Sequence, residues 1–273
     1  MIPVSFEFFP PKTDEQKATM RATAAAFQAL DPEYVSVTFG AGGSTLSYTF
    51  DTVVELQNQF GYQVAPHLSC LGGTAEEIRN LIARYAEQGM RRIVALRGDM
   101  PSGMASPGEF RYANELVSFI RAEFGDLFRI EVACYPEFHP QCRDAHSDLK
   151  HFAAKVAAGA NAAITQYFFN ADSYFRFVDD ARRFGIEIPI VPGIMPITNY
   201  SQLRRFSEMC GAEIPRWLER RLIAYADDTA SIRAYGQEVV TDLCRKLIAG
   251  GAPGLHFYTL NRAKATLGIV QGL

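Results

Sequence analysis

The sequence predicts an α/β protein: a single (β/α)8 TIM barrel forming one domain over residues 1–273. Three observations carry that expectation. Short apolar runs alternate with helical patterns eight times, most units being about thirty residues long. The runs are short and apolar, as in a parallel sheet covered on both faces. No linker, low-complexity stretch or block of like charge marks a second domain.

The first unit opens with Val4-Ser5-Phe6-Glu7-Phe8-Phe9, a strand with alternating apolar positions, ended by Pro10-Pro11. An acid among phenylalanines is expected to be half-buried, a setting that suits a carboxyl group to proton transfer. The alternative is a polar face that meets solvent or a basic partner. Thr13 with Gln16 reads as a capping box for a helix running to about Leu30, where Asp31-Pro32 stops it. Tyr34–Phe39 is the second strand, followed by Gly40-Ala41-Gly42-Gly43 and a helix near Leu46–Phe60. Gln63–Ser69 is the third strand, and Thr74 with Glu77 caps a helix to Gln88.

Arg92–Arg97 is the fourth strand, leading into Gly98-Asp99 and a Pro/Gly-rich loop to Gly108. A helix over Tyr112–Phe124 precedes the fifth strand, Arg129–Tyr135, and Asp144–Ala158 has helical apolar spacing. Ala162–Phe168 is the sixth strand, Asp172–Phe184 a helix, and Glu187–Ile194 a seventh strand with Pro189 and Pro192 at irregular ends. Helices are expected over Ser201–Cys210, Pro215–Tyr225 and Thr229–Ile248. Leu255–Leu260 is the eighth strand, before a short terminal helix.

Composition narrows the function classes. Hydrophobic residues make up 48% and charged residues 21%, ordinary for a protein with a large core. A net charge of -3 leaves no electrostatic footprint for nucleic acid or an anionic membrane. The five cysteines are scattered and never form a Cys-x-x-Cys pair, which fits a reducing compartment. There is no signal-peptide pattern and no apolar run long enough to span a bilayer, so a cytoplasmic protein is expected.

In such barrels the chemistry sits at the C-terminal strand ends. Those positions hold Glu7, Thr38, His67, Arg97-Gly98-Asp99, Tyr135, Gln166 and Tyr258, with Arg262 just beyond. Polar residues recurring at nearly every end point to a built site. Gly40–Gly43 lacks the full dinucleotide-fingerprint spacing and reads as a turn near a ligand. No lysine falls on an inner strand, which argues against a Schiff-base aldolase. The spacings of His139, His146 and His151 match no standard metal pair, so no metal is expected. His67 could equally be a satisfied core histidine and Asp99 a turn aspartate. Asp148 and Lys155, seven apart on one helix, read as a solvated face unless a ligand is near. Trp217 is assigned to the core.

Taken in order, Val-Ser-Phe-Glu-Phe-Phe-Pro-Pro-Lys, Val-Ser-Val-Thr-Phe-Gly-Ala-Gly-Gly, Ala-Pro-His-Leu-Ser-Cys, Ala-Leu-Arg-Gly-Asp, Cys-Tyr-Pro-Glu-Phe-His-Pro, Ala-Gly-Ala-Asn-Ala-Ala-Ile-Thr-Gln-Tyr-Phe-Phe, Val-Pro-Gly-Ile-Met-Pro-Ile and His-Phe-Tyr-Thr-Leu-Asn-Arg closely resemble the 5,10-methylenetetrahydrofolate reductase family, bacterial single-domain type. The resemblance spans essentially the whole sequence, without the regulatory extension of eukaryotic members. It implies an FAD flavoprotein with ping-pong kinetics: NADH or NADPH reduces FAD, and methylenetetrahydrofolate then takes the hydride to become 5-methyltetrahydrofolate, feeding methionine synthesis.

By the same resemblance Glu7 is the general acid that protonates N10 of the folate, and Asp99 lies beside flavin and substrate as a second catalytic group. FAD would be held by Phe39, Ala41, His67, Arg97, Gly98, Asp99, Tyr135, His139, Asp148 and Lys155. Thr38 and Gln166 would help place the nicotinamide, Gln166 and Arg262 would bind folate, and a homotetramer would be expected. The sequence departs from the family pattern at Phe39, often tyrosine, and at Cys142, His151 and Ala154, where some relatives have alanine, asparagine and arginine. Ala154 leaves Lys155 a larger share in neutralising the FAD diphosphate. The alternatives from other classes are a flavin-free barrel lyase or transferase using Glu7 as base, and a non-catalytic barrel that binds folate or flavin.

Overall fold

The computed structural model describes residues 2–39, 43–70, 73–98 and 108–273, with residues 43–47 by backbone alone. Strand β1 (Val4–Phe8) buries Val4, Phe6 and Phe8 on its outer face. Phe6 stacks on Phe27, the last residue of helix α1 (Asp14–Phe27), with ring centroids 4.1 Å apart, and meets Phe257 across the neighbouring strand. Ser5 and Glu7 take the other face, which is the interior of the barrel rather than solvent.

The remaining elements follow the expected alternation: β2 (Tyr34–Val37), α2 (Gly43–Phe60), β3 (Val64–Ser69), α3 (Ala75–Glu87), β4 (Arg92–Leu96), α4 (Ala113–Phe124), β5 (Arg129–Cys134), α5 (Ala145–Ala157), β6 (Ala162–Thr165) and α6 (Ala171–Arg183). Then come β7 (Ile190–Val191), β8 (Gly193–Ile194), α7 (Tyr200–Cys210), α8 (Arg216–Ala224), α9 (Thr229–Ala249), β9 (Leu255–Tyr258) and α10 (Ala263–Gln271). Every strand pair is parallel, in the order β7-β6-β5-β4-β3-β2-β1-β9-β8. The two ends of that order are consecutive in the chain, so the sheet is a nearly closed barrel in one domain.

The seventh strand differs from expectation, breaking at Pro192 into β7 and β8. Proline has no N–H to give to a ladder. Before it, Ile190 pairs with Ala163 of β6; after it, Gly193 pairs with His256 of β9. The Gly193 N–H instead donates to the Thr165 hydroxyl at 2.9 Å, and a Cβ on Gly193 would run into the Thr165 carbonyl and the Tyr258 ring. Strand β6 is also shorter than expected: Tyr167 and Phe168 lie beyond it, yet both are buried.

Two apolar regions result. The large one packs the outward strand faces against the helices. The small one lies inside the barrel and contains Tyr34, Ala65, Val94 and Ile164, with Leu96 and Tyr258 against it. Few apolar side chains fill the interior because polar ones occupy it. Helix α3 has the expected Thr74–Glu77 capping box. At α1 the Thr13 side chain accepts from Gln16 N–H, but Gln16 Oε1 takes the N–H of Lys12, one residue before the cap. Trp217 is 54% exposed, against expectation, because α8 buries Leu218 and Leu222 instead.

Candidate active site

Glu7 enters the barrel from β1 with its side chain 19% exposed. Its Oε2 lies 3.5 Å from Nε2 of His67 on β3 and 3.9 Å from Nε2 of His256 on β9. Both rings are buried. Burial pushes the His67 imidazole down to about 4, with Glu7 opposing the shift, so the ring is neutral at pH 7. His256 is oriented by a 2.8 Å hydrogen bond between Nδ1 and the Ser5 hydroxyl. A carboxyl group beside the neutral His67 imidazole, with no Lys or Arg against it among the described residues, can pass a proton without leaving an ion pair behind.

The end of β1 is held in place by the loop after β9. The Thr259 hydroxyl donates to the Glu7 carbonyl at 2.6 Å, while Asn261 accepts from Phe9 N–H at 3.0 Å and donates to the Phe9 carbonyl at 2.8 Å. Leu260 and Asn261 both have positive φ, 52° and 54°, which turns the Asn261 carboxamide back onto the strand. A strand end so fixed gives its side chain a defined aim.

A second feature lies along the C-terminal ends of β4 and β5: a cavity of about 430 Å³. Arg97, Gly98, Tyr135, His139, Asp148 and Lys155 all line it, together with Tyr112, Gln141, Cys142 and His151. Lys155 reaches from α5 to donate to the Ala133 carbonyl. Burial lowers its pKa, with Cys134 and Asp148 pulling the other way. Asp148 is buried rather than solvated: its carboxylate accepts from His139 N–H at 3.1 Å and from the Cys142 thiol at 3.4 Å. Arg97 donates to Gln141 Oε1 at 2.6 Å. Gly98 has φ +82°, and a Cβ there would collide with the Ser69 hydroxyl, so the ends of β3 and β4 can approach only with glycine here. Arg97 and Lys155 on one polar wall give the cavity a lining that suits an anionic group.

The other expected residues are spread along the same rim. Thr38 extends the β1–β2 pairing through its N–H to the Phe8 carbonyl, and Phe39 packs on the main core. Gln166 follows β6, its Oε1 accepting from Tyr167 N–H at 3.0 Å. Arg262 is exposed and lines a separate cavity of about 550 Å³ with Thr23, Ile197 and Gln237. Ala41 and Asp99 lie outside the described residues.

A family model described as "Methylenetetrahydrofolate reductase" matches residues 1–273. The chain belongs to the methylenetetrahydrofolate reductase family. It is 40% identical to the 5,10-methylenetetrahydrofolate reductase of Escherichia coli (strain K12), over 100% of this chain and 93% of that protein. A Pectobacterium carotovorum protein of the same name is 39% identical over 100% of this chain and 90% of its own. Methylenetetrahydrofolate reductase (NADH) 1 of Arabidopsis thaliana is 38% identical over 98% of this chain but 48% of its own length. Among solved structures, a Clostridium thermocellum protein described as binding two copies of 5-methyl-5,6,7,8-tetrahydrofolic acid aligns with TM-score 0.69 over 99% of this chain and 93% of that one. At 15% identity that likeness concerns the fold alone.

Within this reductase-family barrel, sequence reasoning passed over His256, Ser5 and Asn261. His256 could have been found, since it stands two residues before Tyr258 and a strand repeats its faces every second residue. Asn261 carried no such signal, because its contact with Phe9 spans 252 positions. Among the described residues, no group of three or more His, Cys, Asp or Glu could hold a metal ion, and no helix is long and apolar enough to cross a membrane.

Proposed function

We propose that this chain reduces 5,10-methylenetetrahydrofolate to 5-methyltetrahydrofolate with NADH or NADPH as electron donor, and so supplies methyl groups for methionine synthesis. It does so in the cytoplasm, as a homo-oligomer by analogy with its family. The observation that carries the reading is Glu7: a carboxyl group held on a fixed strand end, beside two buried imidazoles, in a chain matching the reductase family from end to end.

FAD, when bound, supplies the chemistry of accepting and returning a hydride. Arg97 and Lys155 would face its diphosphate, Gly98 would let the backbone approach, and Tyr135, His139 and Asp148 would shape the wall around it. Phe39, Ala41 and His67 extend the set by family analogy, and Asp99 is assigned beside the reacting ring. Thr38 and Gln166 would orient nicotinamide, Gln166 the pterin, and Arg262 the remainder of the folate.

Glu7 has the acid–base task. Opening the five-membered ring of the substrate requires a proton on N10, and Glu7 provides it. Reduction of the flavin by nicotinamide needs no such proton. Glu7→Gln is therefore expected to keep NAD(P)H-driven bleaching of the flavin and to slow the folate half-reaction about 100-fold or more. Equal loss of both half-reactions would make Glu7 structural and overturn the assignment.

A further inference from the structure

Both imidazoles at Glu7 approach the same oxygen. His67 Nε2 and His256 Nε2 lie 3.5 and 3.9 Å from Oε2. Among the described residues, both nitrogens are buried without a hydrogen-bond partner, as is the hydroxyl of Ser36, the register partner of Glu7 on β2. Buried polar atoms are nearly always paired, so two such nitrogens facing one carboxyl group call for a functional account. At 3.5 and 3.9 Å the two contacts are longer than hydrogen bonds, so forming them requires the Glu7 carboxyl group to move towards the imidazoles.

His256 is fully buried and cannot choose its partners freely. It stands opposite Ser5 in the β1–β9 register, and the Ser5 hydroxyl meets its Nδ1 at 2.8 Å. If that hydroxyl donates, Nδ1 is the acceptor and Nε2 carries the ring proton, directed at Glu7. The groups facing this pair from the surrounding strands are Tyr34 and Ser36 on β2, His67 on β3, Glu131 on β5 and Tyr258 on β9.

We propose that His256, set by Ser5, is a positioning residue that occupies Oε2 of Glu7 as a hydrogen-bond donor and thereby keeps the acidic proton on Oε1. An oxygen that accepts an N–H bond is a poor place for a proton, which leaves Oε1 as the oxygen that carries it. The arrangement also fixes which face of the carboxyl group gives up the proton, which governs transfer to a particular nitrogen of a bound substrate. This inference rests on the folate reading for its purpose, but not for its geometry.

The test uses FAD-loaded protein labelled with 15N-histidine. The expected result is that His256 is the Nε2–H tautomer by NMR, that Glu7→Gln moves its Nε2 resonance, and that Ser5→Ala mixes the tautomers. In stopped-flow half-reactions, Ser5→Ala and His256→Gln should slow folate reduction roughly 10–100-fold and displace its pH profile, with flavin reduction within about twofold of wild type. Ser5→Thr, which keeps the hydroxyl, should restore the folate step. An Nδ1–H tautomer, or a His256 resonance indifferent to Glu7→Gln, would overturn the proposal. So would equal slowing of both half-reactions in Ser5→Ala. Wild-type protein that shows the NMR coupling yet turns over no folate would remove the folate reading while supporting the hydrogen-bond arrangement.

Discussion

His67 should make the protein's stability fall as pH drops from neutral, and the size of the effect follows from its burial. In the unfolded chain the imidazole titrates near the ordinary 6.5; in the folded barrel it is pushed down to about 4. A depressed folded value means that the unfolded state binds the proton first. The stabilisation is therefore complete above 6.5 and is lost as pH falls towards 4. The gap corresponds to roughly 3 kcal/mol in all, of which about 2 kcal/mol disappears between pH 7 and pH 5. Urea denaturation of wild type and His67→Gln across this range isolates the contribution, since the carboxylates that also titrate are common to both. The wild-type curve should fall more steeply than the variant's by approximately one proton between pH 6 and pH 4.5. Parallel curves would show that the His67 pKa is not depressed in the folded state, and the neutral imidazole at Glu7 would have to be abandoned.

Further consequences concern the cavity and the strand clamp. Gly98→Ala must relieve a clash with the Ser69 hydroxyl and hold a positive φ, at about 1–3 kcal/mol; thermal unfolding should show it, with weaker FAD binding. Ala154→Arg adds a cation one residue before Lys155 and should slow FAD release on dilution; unchanged release would count against a diphosphate beside Lys155. Asn261→Ala leaves Phe9 N–H and C=O without their side-chain partner, so a loss of about 1–3 kcal/mol is expected in denaturant titration. The same variant should slow the folate half-reaction more than flavin reduction, because Glu7 sits two residues before Phe9.

The barrel was legible because its signals are local. Alternation in Val4–Phe8 and the Thr74–Glu77 box each act within a few residues, and each appears in the fold. The seventh strand was only partly legible: Pro192 advertises a break, but whether the two halves stay with β6 or pass to β9 depends on strands far away in sequence. The site shows the same division. Arg97, Tyr135, His139, Asp148 and Lys155 do gather around one cavity, although periodicity alone gave Asp148 and Lys155 a solvated face. What corrects that reading is the partners they find, His139 N–H and the Ala133 carbonyl, which no helical pattern encodes. Reading strand ends alone also hid His256, whose importance comes from the layer beneath the rim.

The central claim is that one barrel takes a hydride from a nicotinamide and gives it to a folate. Anaerobic half-reactions on the purified, FAD-loaded protein test this most directly, monitored through the flavin absorbance. NADH or NADPH should bleach the flavin, and methylenetetrahydrofolate added afterwards should restore the colour with formation of 5-methyltetrahydrofolate. A protein that retains no flavin when supplied with FAD, or a bleached flavin that methylenetetrahydrofolate leaves reduced, would contradict the account.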